Sequence, residues 1–593
     1  MKSLVRSKGL IASSLVMMLL LAACTNSGGN TKDSSASPST SPSASAPNAA
    51  SSQETPLSNE PITLTVFLGN EADGFVNGIM DNELADAIKE KFNITLDIIH
   101  GDEVKQKTMI AGGDLPDIME FEGNAYTLAD SLIKSGQIIP LDDLIDKYGP
   151  NIKKYSQLSL DVFKKSYSNG TGNIYFLSTA QQKAYDGLIS LNGYVNFYTR
   201  WDLYKDIGAP EMTNEDDFLN VMKQIQDKNP KTSDGKKVYS FSAWTDWGTW
   251  PYLITYPFVH GYTNTAYNRL LNLETGEVED MYTDEDGIFW QGIKFFNKAY
   301  RMGLFDPEGF TQKLSQYLDK ISRGELLNSG LNVFNGGPDL VKNTGNELAE
   351  LIAIPGPFPT ISGVYTSDKP LGWGIGTAKM ITSSNKYPER TMQLLDYLNS
   401  PDGARLIFNG IQGVDWDIVD GKETLIGEMA KQDNQDYLNK TGFNHQLKEL
   451  GAFDESYPNE NGVPVDLKKL VNEATVTAAE KDFAKHYGAP LYPGQVYDQW
   501  VKDGKVNSPT KFWAAPSMVS APSDTTTQAL AKADQYFMAN VTKFIMAKDD
   551  AAFETAKQKA IDDFIGMGLD KAYDEVRQLQ EKAKITASEL GVE

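Results

Sequence analysis

The densest concentration of chemically useful side chains lies in the run AWTDWGTWPYLITYPF. It places Trp244, Trp247, Trp250, Tyr252 and Tyr256 within thirteen residues, using three of the chain's nine tryptophans. Aromatic planes stack on the apolar C–H face of a sugar ring, while carboxylates, amides and guanidinium groups take its hydroxyls. Asp246, between two of the indoles, supplies such a carboxylate. The spacing of Trp244 and Trp247 suits one face of a helical turn, so one ring can face solvent while another faces the interior. The same residues also suit a core, because large aromatic side chains fill interiors as readily as they bind sugars.

Other reactive chemistry is sparse. His100, His260, His445 and His486 are the four histidines; they are scattered and form no HExxH pair. Cys24 is the single cysteine, so no internal disulfide can form. DGKK at Asp234 to Lys237 lacks the upstream glycine and the Ser/Thr of a phosphate-binding loop. GWGIG at Gly372 to Gly376 has its final glycine misplaced for a dinucleotide fingerprint. The 79 acidic residues contain pairs that a glycosidase could use, and such an enzyme needs only two carboxyl groups at roughly 5 to 9 Å. A surface glycosidase therefore stands as an alternative to plain binding, and no cofactor is called for.

A binding surface needs elements to hold it. Ile62 to Leu68 (ITLTVFL) is β-branched and apolar, the pattern of a buried strand. Leu84, Ile88 and Phe92 follow at helical spacing, and Ile94 to Ile99 (ITLDII) reads as a second strand. A helix joining two strands predicts a parallel sheet. Gly112, Gly113 and Pro116 make a turn before a third short strand, and NIYFLS and VNFYT also look extended. Gly287 to Met302 and Pro388 to Leu398 read as helices; Pro388 falls where its missing amide costs nothing, and Thr391, Leu394, Leu395 and Leu398 share a face. The last hundred residues turn to long helices over Ala529 to Met546, Ala551 to Leu569 and Lys571 to Leu590.

At the N-terminus Lys2, Arg6 and Lys8 precede an apolar stretch from Leu10 to Leu21. That stretch is shorter than the roughly 20 residues of a membrane-spanning helix, so residues 1–24 are expected to be a secretory signal. Leu21, Ala22 and Ala23 lead into Cys24, and this ending resembles a bacterial lipobox, whose cysteine is acylated and becomes the first mature residue. A plain signal peptide with an incidental cysteine is the alternative. Two acyl chains suffice for stable anchoring. Residues 25–56 are rich in Ser, Pro and Ala with almost no large apolar side chain, the composition of a disordered tether. The remaining 57–593 exceed what one core usually supports, so at least two lobes are expected. The formal charge of −24 makes nucleic acid and anionic lipid poor partners.

The lipobox, the Ser-rich tether, ITLTVFL, MIAGGDLPDI, SGQIIPLDDLIDKYGPNI, GLFDPEGF and YPERTMQLLDYLNSPDGARLIFNGIQGVDW occur in the order found in extracellular solute-binding proteins of ABC importers. From about residue 57 to the end, the chain resembles their large oligosaccharide-binding branch, the Gram-positive lipoproteins similar to alginate-binding and LipO-type proteins. The resemblance implies an α/β fold of the two-lobed type II periplasmic-binding-protein class, with hinge-crossing segments and long C-terminal helices. Lobe 1 would take about 57–187 and 378–510, and lobe 2 about 188–377 plus the C-terminal helices. It further implies capture of an oligosaccharide in the interlobe cleft and delivery to permease subunits, by a monomer lipid-anchored on the outer face of the cell membrane. A lipoprotein presenting ligand to a sensor is the alternative role.

Site residues follow from the resemblance position by position. The loop after the first strand nominates Asn70 and Glu71, and the stretch after PDI nominates Glu122, Asn124 and Tyr126. YTRWD nominates Arg200, whose fork suits a hydroxyl or a sugar carboxylate. Asn335 in VFNGGP, Trp373 in LGWGIG and Trp416 in GVDWD join Trp244, Asp246, Trp247 and Trp250 as ligand contacts. Alginate-binding relatives carry a calcium loop dense in Asp and Asn after the helix that corresponds to Phe218 to Gln226. Here it reads DKNPKTSDGKK; Asp227, Asn229 and Asp234 remain, but Pro230, Lys231 and Lys236 break the acidic alternation. No metal is expected beyond a weakened calcium site at those three residues.

Overall fold

The structure is a computed structural model. It describes residues 58–592 apart from 70–73, 122–127, 180, 182–194, 362–369, 371, 375–376, 432–433, 460, 471–474, 510 and 512. Numbered along the chain, the strands begin with β1 (Ile62–Leu68), β2 (Gly78–Ile79), β3 (Ile94–His100), β4 (Ile118–Phe121) and β5 (Leu177–Ser178). They continue with β6 (Val195–Arg200), β7 (Tyr262–Thr265), β8 (Arg269–Asn272), β9 (Val278–Asp280), β10 (Asn328–Leu331) and β11 (Leu351–Ala353). The last are β12 (Ala378–Ile381), β13 (Trp416–Val419) and β14 (Lys422–Leu425).

The first lobe is built on a six-stranded sheet of order β2-β3-β1-β4-β12-β5. β1 runs parallel to β3 and β4, pairing Ile62 with Ile94 through to Leu68 with His100. The parallel pair arises from the helix Glu83–Phe92, started by the Asn82 side chain accepting from the Ala85 amide and stopped by Asn93 in the left-handed conformation. Alternation along β1 feeds two cores. Leu64, Val66 and Leu68 face one with Ile94, Leu96 and Ile98, and Phe67 faces the other with Met119, Phe121 and Met380. β12 returns late in the chain, antiparallel to β4 and β5. It carries Lys379, wholly buried, whose ammonium donates to Ser178 O (2.7 Å), Gly451 O (2.8 Å) and Asn399 Oδ1 (3.3 Å). Burial pushes this amine down to about 7.

The second lobe centres on β6, flanked by β10 and β11, both antiparallel to it. Phe197 on β6 lies in a nest of rings, with Phe358 at 4.8 Å, Phe218 at 5.2 Å and Phe295 at 5.4 Å between centroids. A smaller sheet, β7-β8-β9, packs on the same lobe. The expected C-terminal helices are present as Asp524–Ile545, Asp550–Gly566 and Leu569–Glu589.

The helices Ala478–His486 and Pro493–Lys502 share the core built around β6. Phe483 packs edge-on to Trp201 at 5.0 Å, and Tyr497 donates its hydroxyl to Ala353 O at 3.0 Å. Each helix turns an apolar stripe to that core, and a stripe in sequence does not say which core it meets. The last helix is also shared. Leu569, Tyr573 and Val576 lie in the second core, whereas Ala583, Ala587 and the following Val592 lie in the first lobe's core beside Phe163 and Tyr167.

Candidate functional site

The tryptophan run folds as a loop leading into the short helix Trp250–Leu253. Thr245 ties it down, its amide and hydroxyl both donating to Gln312 O at 3.0 and 3.1 Å. Within this frame the rings divide. Trp244 is 2% exposed and packs against Tyr317 at 4.6 Å, so in this arrangement its ring lies among core side chains. Trp247 is 42% exposed, held edge-on by Trp244 at 5.4 Å and Trp250 at 5.1 Å and tilted over Phe334 at 6.2 Å. Trp250 is half-buried. Phe334 and the exposed Val333 come from the turn Asn332–Phe334 after β10; nothing in the spacing of VFNGGP marked them as neighbours of the tryptophans. The result is an aromatic shelf with one indole open and a buried second indole fixing its angle.

Asp246 does not project freely beside this shelf. Its Oδ2 accepts from the Leu314 amide and its Oδ1 pairs with Lys313 Nζ, both at 2.8 Å. The lysine, with the amide, holds its carboxyl below the usual range. It is a carboxylate fixed at the start of the helix Leu314–Ser322.

Arg200 is engaged within the protein. Its Nε and Nη2 make a bidentate pair with Asp202 at 2.8 and 2.7 Å, Asn346 donates to the same carboxylate at 2.9 Å, and the guanidinium is buried. The fork read as a sugar clamp is spent two residues along the chain. Asn335 is likewise engaged: Nδ2 donates to Glu350 Oε1 (2.9 Å), Oδ1 accepts from the Gly337 amide (3.1 Å), and its carbonyl accepts from the Leu351 amide. Glu350, also bonded by Thr477 Oγ1 at 2.5 Å, is pushed up to about 7 by burial and then by the nearby Glu480.

Trp373 is 5% exposed in the first lobe's core, so its ring offers no stacking face in this arrangement. Trp416 is half-buried at the base of the β13–β14 hairpin, donating to Gly410 O at 3.3 Å with the Arg405 guanidinium 5.8 Å from its ring. Asn70, Glu71, Glu122, Asn124 and Tyr126 lie outside the described residues.

At the candidate calcium loop each side chain turns to a neighbour. Asp227 pairs with Lys223, Asn229 donates to Ile225 O at 3.0 Å, and Asp234 accepts from Thr232 Oγ1. Among the described residues, the side chains grouped closely enough to hold an ion are instead His445, Glu455 and Asp466. There Lys469 already sits 2.7 Å from Glu455.

The profile of the bacterial extracellular solute-binding proteins matches residues 79–405. The chain belongs to that family. Its curated relatives include the fructooligosaccharide ABC transporter substrate-binding protein FusA of Streptococcus pneumoniae, 26% identical over 299 residues, which is 50% of this chain and 53% of FusA. Lipoprotein LipO of Bacillus subtilis is 21% identical over 55% of this chain and 62% of LipO. The chain thus spans only about half to three-fifths of the length of these two relatives. Among solved structures, an EF-hand mutant of Streptococcus pneumoniae FusA in complex with fructo-nystose superposes with a TM-score of 0.59 at 18% identity, covering 89% of this chain and 100% of that one. The alginate-binding protein AlgQ2 without calcium ion gives 0.56 at 19% identity, over 88% and 99% of the two chains. These structures share the two-lobed α/β fold of this family member.

Proposed function

We propose that this protein is the substrate-binding component of an ABC importer, capturing an oligosaccharide between its lobes and handing it to permease subunits without making or breaking a bond. The observation that carries the reading is Trp247, an open indole fixed by Trp244, Trp250 and Phe334 in a chain of the solute-binding family. FusA, a fructooligosaccharide-binding relative by name, supports the substrate class. Two-lobed binders of this kind close about a hinge, and the closed form is what a membrane partner can recognise. The protein acts as a monomer on the extracytoplasmic face, held there through Cys24 and the tether that follows it. No helix among the described residues is long and apolar enough to cross a membrane.

The test is intrinsic tryptophan fluorescence with thermal shift, titrating the protein with kestose, nystose, maltotetraose and trigalacturonate. Saturable quenching by one of them, weakened by Trp247→Ala with the melting temperature preserved, is the expected result. A folded protein that answers to none of the four, or a Trp247→Ala variant that binds like the parent, overturns the reading of the shelf.

A further inference from the structure

A groove of about 1000 Å³ opens where three parts of the chain meet: the sheet β7-β8-β9, the segment around Trp513, and the helix Leu569–Glu589. Small-molecule sites run to roughly 300–1,000 Å³, so this one has room for several sugar rings. It lies apart in sequence from the tryptophan run, and none of its residues belongs to the shelf.

One wall is a fixed aromatic plate. Trp513 Nε1 donates to Leu273 O at 2.9 Å, and the far edge of the indole rests on Gly276, where a Cβ would fall 2.2 Å from the ring. Gly276 also has φ +76, so a side chain is disfavoured there twice over. The ring angle is thus set by backbone at both ends. Lys511 Nζ lies 3.6 Å from the ring centroid, a long exposed side chain that an incoming ring can displace.

The charges around the plate balance. Lys511, Arg577, Lys584, Glu277, Glu279 and Glu581 all line the groove; Lys584 pairs with Glu581 at 2.7 Å, and Arg577 pairs with Asp280 and Asp574. Beneath them Arg269 and Asp280 form a buried pair at 2.7 Å. A phosphate or a metal ion would meet as many unlike charges as like ones. An aromatic plate ringed by carboxylates, a guanidinium and the exposed amide of Gln578 suits a polar molecule with an apolar face and no net charge.

We propose that this groove binds a neutral saccharide, stacked on Trp513 with its hydroxyls bonded to Glu277 and Gln578. The proposal rests on the oligosaccharide reading above and adds to it a second contact surface. Its walls come from both lobes: Leu270 of β8 lies in the second core, and Ala514 and Ala587 lie in the first lobe's core. Ligand here is therefore linked to the arrangement of the lobes, and reciprocally the lobes set its affinity.

The experiment is isothermal titration of the detergent-purified full chain with kestose, nystose, maltotetraose and trigalacturonate, on the parent, Trp513→Ala, Gln578→Ala and Trp247→Ala. The expected result is a neutral oligosaccharide bound by the parent, about ten-fold more weakly by Trp513→Ala and several-fold more weakly by Gln578→Ala. Gln578 is exposed, so its variant keeps the test valid if Trp513→Ala fails to fold. Binding that both groove variants leave at the parent's affinity while Trp247→Ala weakens it overturns the groove and spares the oligosaccharide reading. Trigalacturonate bound in preference to every neutral sugar, in a manner sensitive to Gln578→Ala, overturns the neutral class. A parent that binds none of the four overturns both.

Discussion

Lys379 makes a stability prediction that can be worked to a number. Its amine is wholly buried on β12 without a carboxylate in hydrogen-bond contact, and burial lowers it from 10.5 to about 7. Between those two values the unfolded chain holds a proton that the native state has released, so stability rises with pH across that window. It is lowest below about 7, where both states are charged and the buried ammonium is least tolerated. From pH 7 to 9 the linkage gives about 2 kcal/mol at 1.36 kcal/mol per unit. That figure is an upper bound, because three oxygen acceptors around the amine favour its charged form. For a lobe of a few hundred residues it corresponds to a rise of about 4–8 °C in melting temperature. The assay is a series of thermal melts from pH 7 to 9 on the parent and on Lys379→Met, which removes the titrating group but keeps the chain length. The difference between the two curves isolates this site from every group the two proteins share, Glu350 at about 7 included. A difference curve that is flat or falls with pH refutes the reasoning.

Three further outcomes are expected. Trp244→Ala, which empties a core position against Tyr317, costs about 3–5 kcal/mol in chemical unfolding, far more than Trp247→Ala at the solvent edge. Arg200→Ala strands the buried Asp202 carboxylate and costs a similar ~3–5 kcal/mol; sugar affinity of the folded fraction stays at the parent's value, which calorimetry below the melt checks. Cys24→Ser releases the protein from the cell surface into the medium and abolishes labelling by radioactive palmitate, read by fractionation and autoradiography.

The sheet of the first lobe was legible because ITLTVFL and ITLDII are β-branched, alternate between two cores, and flank a helix with clear caps. The long C-terminal helices were legible from their period. What periodicity could not supply was the identity of the partner surface. The helices Ala478–His486 and Pro493–Lys502 have apolar stripes, but only the fold shows that these meet the core around β6. At the site, the tryptophan run was visible as composition, but which indole faces solvent depends on Tyr317 and Phe334, far along the chain. Arg200 shows the limit from the other side. A neighbour two residues away fills its fork, a local pairing that YTRWD already contains. Trp513 carries no local pattern that marks it as a binding plate, and only the fold brings Gly276 beneath its ring.

The shared C-terminal helix has a consequence for how the molecule is made. Ala583, Ala587 and Val592 join the core that Phe67, Met119 and Phe121 of the first lobe's sheet enter, and Lys165 pairs with Glu589 across 424 residues of sequence. Loop closure on that scale is slow and comes late. The lobe that begins to form first during synthesis and export therefore cannot seal its apolar face until nearly the whole chain has emerged. In the interval that face is open to chaperones, proteases and neighbouring chains. A lesion in the last two turns should thus register as misfolding of the N-terminal lobe, far from the altered residues.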